Sequence, residues 1–230
     1  MITYLQTIKD TKTQRLDMET WQRLTESEQT RHYISKFRIT GDISLKQRLP
    51  AVNFHGYDPK VLKGLFGSRK QADLVPTGLF MLDIDHIDNP TKVWEVFKKQ
   101  MAKEGISLES NVALVHITPS GKGLRIVMKG REGSTIKEDQ KWLAQLLCVQ
   151  HDECTKDLSR WSFIPMKTDI IYKNYLLLFK DAEETSYNKT PETLSLAERP
   201  AKAKAQGGLS LSESVSDTAE ESSEKAELRF

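Results

Sequence analysis

The chain has 230 residues, 34 of them Lys or Arg and 32 Asp or Glu, with 38% hydrophobic and 29% charged residues. That length carries one good-sized domain with appendages, and no apolar run approaches the roughly 18 residues of a membrane-spanning helix. With only Cys148 and Cys154 present, no disulfide framework is implied. Met1–Asp10 lacks the long apolar core of a signal peptide, so a cytoplasmic protein without membrane partners is expected. The net charge of +2 hides an asymmetry: residues 181–230 hold 11 Asp/Glu and 6 Lys/Arg, which leaves 28 basic and 21 acidic residues in 1–180. A basic domain with an acidic tail favours a polyanionic partner.

Residues 1–40 read as a mainly helical extension, with Met18, Trp21 and Leu24 at helical spacing. Pro50 ends any helix before it, and Ala51–Phe54 reads as a short strand entering the core, followed by a turn at Gly56. Lys46 and Arg48 flank that strand as candidate nucleic-acid contacts, weighed against a merely solvated pair. The connection over 57–76 is polar and basic, with Lys60, Lys63, Arg69 and Lys70 placed to edge a site or touch phosphates.

Leu79-Phe80-Met81-Leu82-Asp83-Ile84-Asp85-His86 is the most informative stretch. Punctuated by Gly78 before and Asn89-Pro90 after, it reads as a buried strand. Side chains alternate along a strand, so Leu82 and Ile84 point into a core while Asp83 and Asp85 share the other face. Adjacent carboxylates repel, and a divalent cation between them relieves that; Mg2+ or Mn2+ suits such oxygen ligands. The competing reading is a strand end whose acids face water.

Asn89-Pro90-Thr91 opens a helix from about Lys92 to Lys103, with Val93, Trp94, Val96, Phe97 and Met101 as a core-facing stripe. Val112–Ile117 and Leu124–Met128 are strands joined by Thr118-Pro119-Ser120-Gly121-Lys122-Gly123. The glycines let backbone N–H groups approach an anion, and Lys122 adds charge. The spacing is not that of a P-loop. Arg125 faces the same side as Gly123.

A further helix begins near Ser134, its expected N-cap, and runs to about Cys148 with Trp142, Leu143, Leu146 and Leu147 on one side. An acid cluster, His151-Asp152-Glu153-Cys154-Thr155-Lys156-Asp157-Leu158-Ser159-Arg160, precedes an alternating strand at Trp161–Pro165, and Ile170–Phe179 continues the sheet or closes it. Cys148, His151 and Cys154 lack the fourth ligand of a structural zinc site. From Asp181 large apolar groups nearly vanish, and residues 181–230 are expected to be a disordered acidic tail or linker.

Taken together, the D-x-D strand, the Ser-Gly-Lys-Gly turn and the acid cluster ending in Arg160 resemble the archaeo-eukaryotic primase superfamily, including the primase-polymerases. More closely, Leu49-Pro50-Ala51 with Phe54 and Gly56, Gly78 to Asp85-His86, Pro119-Ser120-Gly121-Lys122-Gly123-Leu124 and Asp157-Leu158-Ser159-Arg160 resemble the VirE N-terminal-domain family of bacterial mobile elements. The resemblance implies an α+β fold: a primase-polymerase-like, RRM-related mixed sheet flanked by helices over 41–180, after the extension 1–40.

It also implies a DNA replication or mobilisation protein whose Asp83, Asp85 and Asp152 hold Mg2+ or Mn2+ and catalyse nucleotidyl transfer. Ser120, Gly121, Lys122, Gly123, Arg125 and Arg160 would contact the nucleotide, with Asp157 orienting Arg160 or Lys122. Nucleoside triphosphates, a single-stranded DNA template and a helicase domain or protein would be the partners. One departure stands out: Arg125 occupies the position where primase-polymerases carry a nucleotide-contacting His. The alternative is therefore a non-catalytic nucleic-acid-binding module that keeps the primase fold. A metal-dependent nuclease shares the acids but leaves the Ser-Gly-Lys-Gly turn unexplained.

Overall fold

The computed structural model describes residues 1–57, 66–67, 73–149 and 158–180. The expectations for Lys60, Lys63, Arg69, Lys70, the 151–157 acids and the tail from Asp181 lie outside these residues. In chain order the elements are β1 (Thr3–Leu5), β2 (Thr13–Arg15), α1 (Met18–Glu26), α2 (Glu28–Thr40), α3 (Ile43–Lys46), β3 (Ala51–Asn53), β4 (Gly56–Tyr57), β5 (Phe66–Gly67), β6 (Leu74–Val75), β7 (Leu79–Ile84), α4 (Pro90–Lys103), α5 (Leu108–Asn111), β8 (Val112–Ile117), β9 (Leu124–Lys129), α6 (Ile136–Leu147), β10 (Ser162–Phe163), β11 (Ile170–Lys173) and α7 (Tyr175–Leu178). The protein is α+β. No helix among the described residues is long and apolar enough to cross a membrane.

A four-stranded sheet ordered β11-β8-β9-β7 forms the centre, and a five-stranded sheet ordered β10-β3-β1-β2-β5 stacks against it. Every strand pairing among the described residues is antiparallel, where a mixed sheet was expected. β7 and β8 run parallel to each other with β9 between them, because α4 carries the chain across before the β8–β9 hairpin fills the gap.

Alternation along the central strands sorts the core into two layers. Phe80, Leu82 and Ile84 of β7 and Leu124, Ile126 and Met128 of β9 meet Trp94, Phe97 and Met101 of α4 and Leu143, Ala144 and Leu147 of α6. On the opposite face Leu79, Met81 and Val127 meet Tyr4 of β1, Trp21 and Leu24 of α1, and Val52 of β3. The register shift between Val112 and Leu114 places Ala113 and Leu114 together on this second side.

Local chemistry sets the helix ends. The Asp17 carboxylate accepts from Thr20 N at 2.8 Å to start α1, and Asn89 accepts from Lys92 N with Pro90 in the first turn of α4. Gly41, at φ 70, ends α2 with its N–H bonded to Phe37 O at 2.8 Å. Thr135, and not Ser134, caps α6 through a capping box with Glu138. Ser134 instead donates to the Asp139 carboxylate at 2.6 Å.

Two expectations change on the structure. Residues 1–40 do contain two helices, but β1 and β2 also belong to the five-stranded sheet, and β1 pairs with β3 from Thr3↔Asn53 to Leu5↔Ala51. Their signal is faint because each is only three residues long. Near the other end, β11 stops at Lys173, where Asn174 caps the short α7 by accepting from Leu177 N.

Candidate functional site

Asp83 is the last inward-facing residue on its side of β7, at the position where the apolar layer between the sheets gives way to polar groups. Cross-strand register sets Asp83 opposite Arg125 on β9, and Arg125 opposite His116 on β8. The result is a row of three polar side chains across three adjacent strands, all buried: Asp83 is 3% exposed, Arg125 8% and His116 0%.

Charge pairing explains how this row survives burial. Arg125 Nε and one terminal nitrogen each donate to a different oxygen of Asp83, a bidentate fork, and the second terminal nitrogen donates to Ser162 Oγ. Planar guanidinium geometry matches a carboxylate in this way. Ser162 lies on β10, in the other sheet, so Arg125 bridges the two sheets as well as two strands.

His116 completes the row differently. Its Nδ1 lies 3.0 Å from Ile117 O, so the proton sits on Nδ1 and is donated to that carbonyl. Nε2 is then a buried acceptor with no hydrogen-bond partner among the described residues. Burial, reinforced by the neighbouring Arg125 charge, lowers the imidazole pKa to about 4. His116 is therefore neutral at pH 7. Counting register outward from the β8–β9 turn pairs it with Arg125.

Asp85 lies just past the end of β7, on the side of the sheet that Asp83 faces, and it is exposed. A Cβ on Gly123 would sit 3.0 Å from Asp85 Oδ1 and 2.6 Å from Thr118 Oγ1, so only glycine lets the turn close here. Gly121, at φ +75, needs the left-handed region, and its N–H donates to Thr118 O at 2.9 Å. Lys122 N donates to Ser120 Oγ at 3.2 Å. Two of the amides expected to face an anion are thus spent inside the turn, while the side chains of Ser120 and Lys122 remain exposed.

A residue with no sequence signal secures this turn. Arg38 of α2 donates from Nε to Pro119 O at 3.1 Å and from a terminal nitrogen to Thr118 O at 3.3 Å and Asp169 at 2.7 Å. Burial raises the Asp169 pKa, opposed by the Arg38 charge.

The remaining candidates divide. Arg160 is exposed in the segment before β10, and Leu158 O accepts from Asn53 Nδ2 at 2.9 Å, tying that segment to β3. Lys46 and Arg48 lie on and just after α3; Lys46 Nζ stands 5.2 Å from the centroid of Phe163 and 6.0 Å from that of Phe37, and the Arg48 guanidinium 6.0 Å from that of Tyr33. Asp152 and Asp157 fall outside the described residues.

This arrangement does not fit a ready divalent-metal pair. Both Asp83 oxygens are engaged by Arg125, and the charge that a cation would balance is already balanced. Among the described residues no group of three or more His, Cys, Asp or Glu side chains is placed to hold a metal.

Fold and site define a class: an α+β domain of two stacked antiparallel sheets with a buried Asp–Arg pair between them. The chain belongs to the BT4734-like family, whose N-terminal-domain model matches residues 44–172. Neither a curated protein nor a solved structure matches it.

Proposed function

We propose that this domain is a non-catalytic nucleic-acid-binding module that keeps a primase-like fold and serves DNA replication or mobilisation. The observation that carries this reading is the buried bidentate pair of Asp83 and Arg125. A nucleotidyltransferase of the primase-polymerase type needs the first D-x-D carboxylate turned to metal. Here that carboxylate ties two strands together and, through Arg125 and Ser162, two sheets. The resemblance to the VirE N-terminal-domain family and the basic character of residues 1–180 support a nucleic-acid partner.

Two assays on the full chain test the reading: single-stranded DNA binding titrated against salt, and primer extension with Mg2+ or Mn2+. Binding that weakens steeply with salt, with no nucleotide added under either metal, is the expected result. Extension by the wild type that disappears in Asp83→Asn would overturn it in favour of the metal-dependent enzyme. In that case Asp83 must leave Arg125 to join Asp85 and Asp152.

A further inference from the structure

Three aromatic rings and a set of cations meet on the outer side of the five-stranded sheet. Tyr33 and Phe37 are one helical turn apart on α2, and Phe163 lies on β10. All three rings are partly exposed. Ser162 turns inward to Arg125, so its neighbour Phe163 turns outward, and Lys46 stands over both Phe163 and Phe37. Arg48 stands over Tyr33. Lys36 is exposed on the same helix, and Ile39 and Ile43 are left 84% and 65% exposed beside it. An acid near this surface is Asp42, whose carboxylate caps α3 by accepting from Ser44 N at 2.8 Å; that bond, then the Arg48 and Lys36 charges, hold its pKa down.

We infer that Tyr33, Phe37 and Phe163, with Lys36, Lys46 and Arg48, form a binding track for single-stranded nucleic acid. This rests on the nucleic-acid reading above and names its surface and substrate class. The ring faces already accept cations of this chain, the same attraction that a flat or charged partner would use. A single strand supplies both chemistries: unstacked bases lie on the rings while phosphates replace the rings as partners of Lys46 and Arg48. A duplex hides its base faces and would use the cations alone. The track also leads to the Ser-Gly-Lys-Gly turn, because Arg38, next to Phe37, lies against Pro119 O and the position of Gly121.

The test measures binding of a fluorescent oligothymidylate and of a duplex of equal length, by anisotropy, over a salt series. Phe37→Leu and Phe163→Leu keep apolar volume and remove the ring faces; each should weaken oligothymidylate binding about tenfold, leaving the salt slope and duplex binding unchanged. Lys46→Gln with Arg48→Gln, on partly or fully exposed positions, should lower the single-strand salt slope by about 1.4, the loss of two phosphate contacts. If a ring variant fails to show the wild-type thermal transition, Tyr33→Leu and the Lys/Arg double variant decide alone. Wild-type-like affinity and slope in all of them, with the wild type still binding, would overturn this track and leave the nucleic-acid reading standing. A wild type that binds neither probe overturns both.

Discussion

The two faces of the central sheet carry different kinds of burial. The face under α4 and α6 is apolar from Phe80 to Ile84 and from Leu124 to Met128. The face toward the five-stranded sheet is apolar only as far as Met81 and Val127; beyond them come Asp83, Arg125 and His116. Apolar packing tolerates many partners of suitable volume, whereas a buried ion pair is stable only when both partners and their hydrogen bonds are present. The first face therefore supplies cohesion. The second supplies a defined register between β7 and β9 and a defined contact with β10.

The sharpest way to break this comparison is to remove one half of the pair. Arg125→Met should cost about 3–5 kcal/mol in urea unfolding, because it strands the Asp83 charge. Adding Asp83→Leu should restore most of that loss or exceed it, since an apolar pair of similar volume often matches a buried ion pair. A double variant as unstable as the single one would show that the row does more than satisfy itself.

His116 sharpens the same face through pH. Its folded pKa of about 4 lies below the ordinary value of 6.5, so between those values the unfolded chain binds more protons and stability rises with pH. The contribution is fully present above about pH 6.5 and is lost as pH falls through about 4, on the order of 3 kcal/mol in all. In His116→Leu this part of the rise in stability with pH over that window should disappear, as measured by urea midpoints at several pH values.

Smaller effects belong to the helix-covered face. Thr135→Ala removes the capping box of α6 and should cost about 1 kcal/mol. Lys98→Ala breaks the exposed 2.8 Å pair with Glu95 on α4 and should change the unfolding midpoint by no more than about 0.5 kcal/mol.

Strand β7 was legible because its apolar run is bounded by turn residues, and α4 and α6 because their stripes have helical period; Trp94, Phe97 and Met101 lie in the core as their spacing indicated, whereas Val96 faces out and is 42% exposed. The α6 cap was misplaced by one residue, since Ser134 and Thr135 are both good caps and only the reciprocal bond with Glu138 separates them. β1 and β2 could not be placed from the sequence because three-residue strands have too little alternation to read.

By itself the sequence determined which residues point to which face of each central strand, since alternation is a property of a few neighbouring residues. Tertiary structure alone decided what those residues meet. Asp83 and Arg125 are 42 positions apart, and their pairing depends on the register of β7 against β9. Arg38 reaches Asp169 across 131 positions, and Ser162 reaches Arg125 only because the chain leaves α6 to lay β10 beside β3 in the other sheet. The local pattern marks Asp83 as a carboxylate facing away from the core, but its partner Arg125 is set by distance in space, to which electrostatics responds and of which local periodicity carries no record.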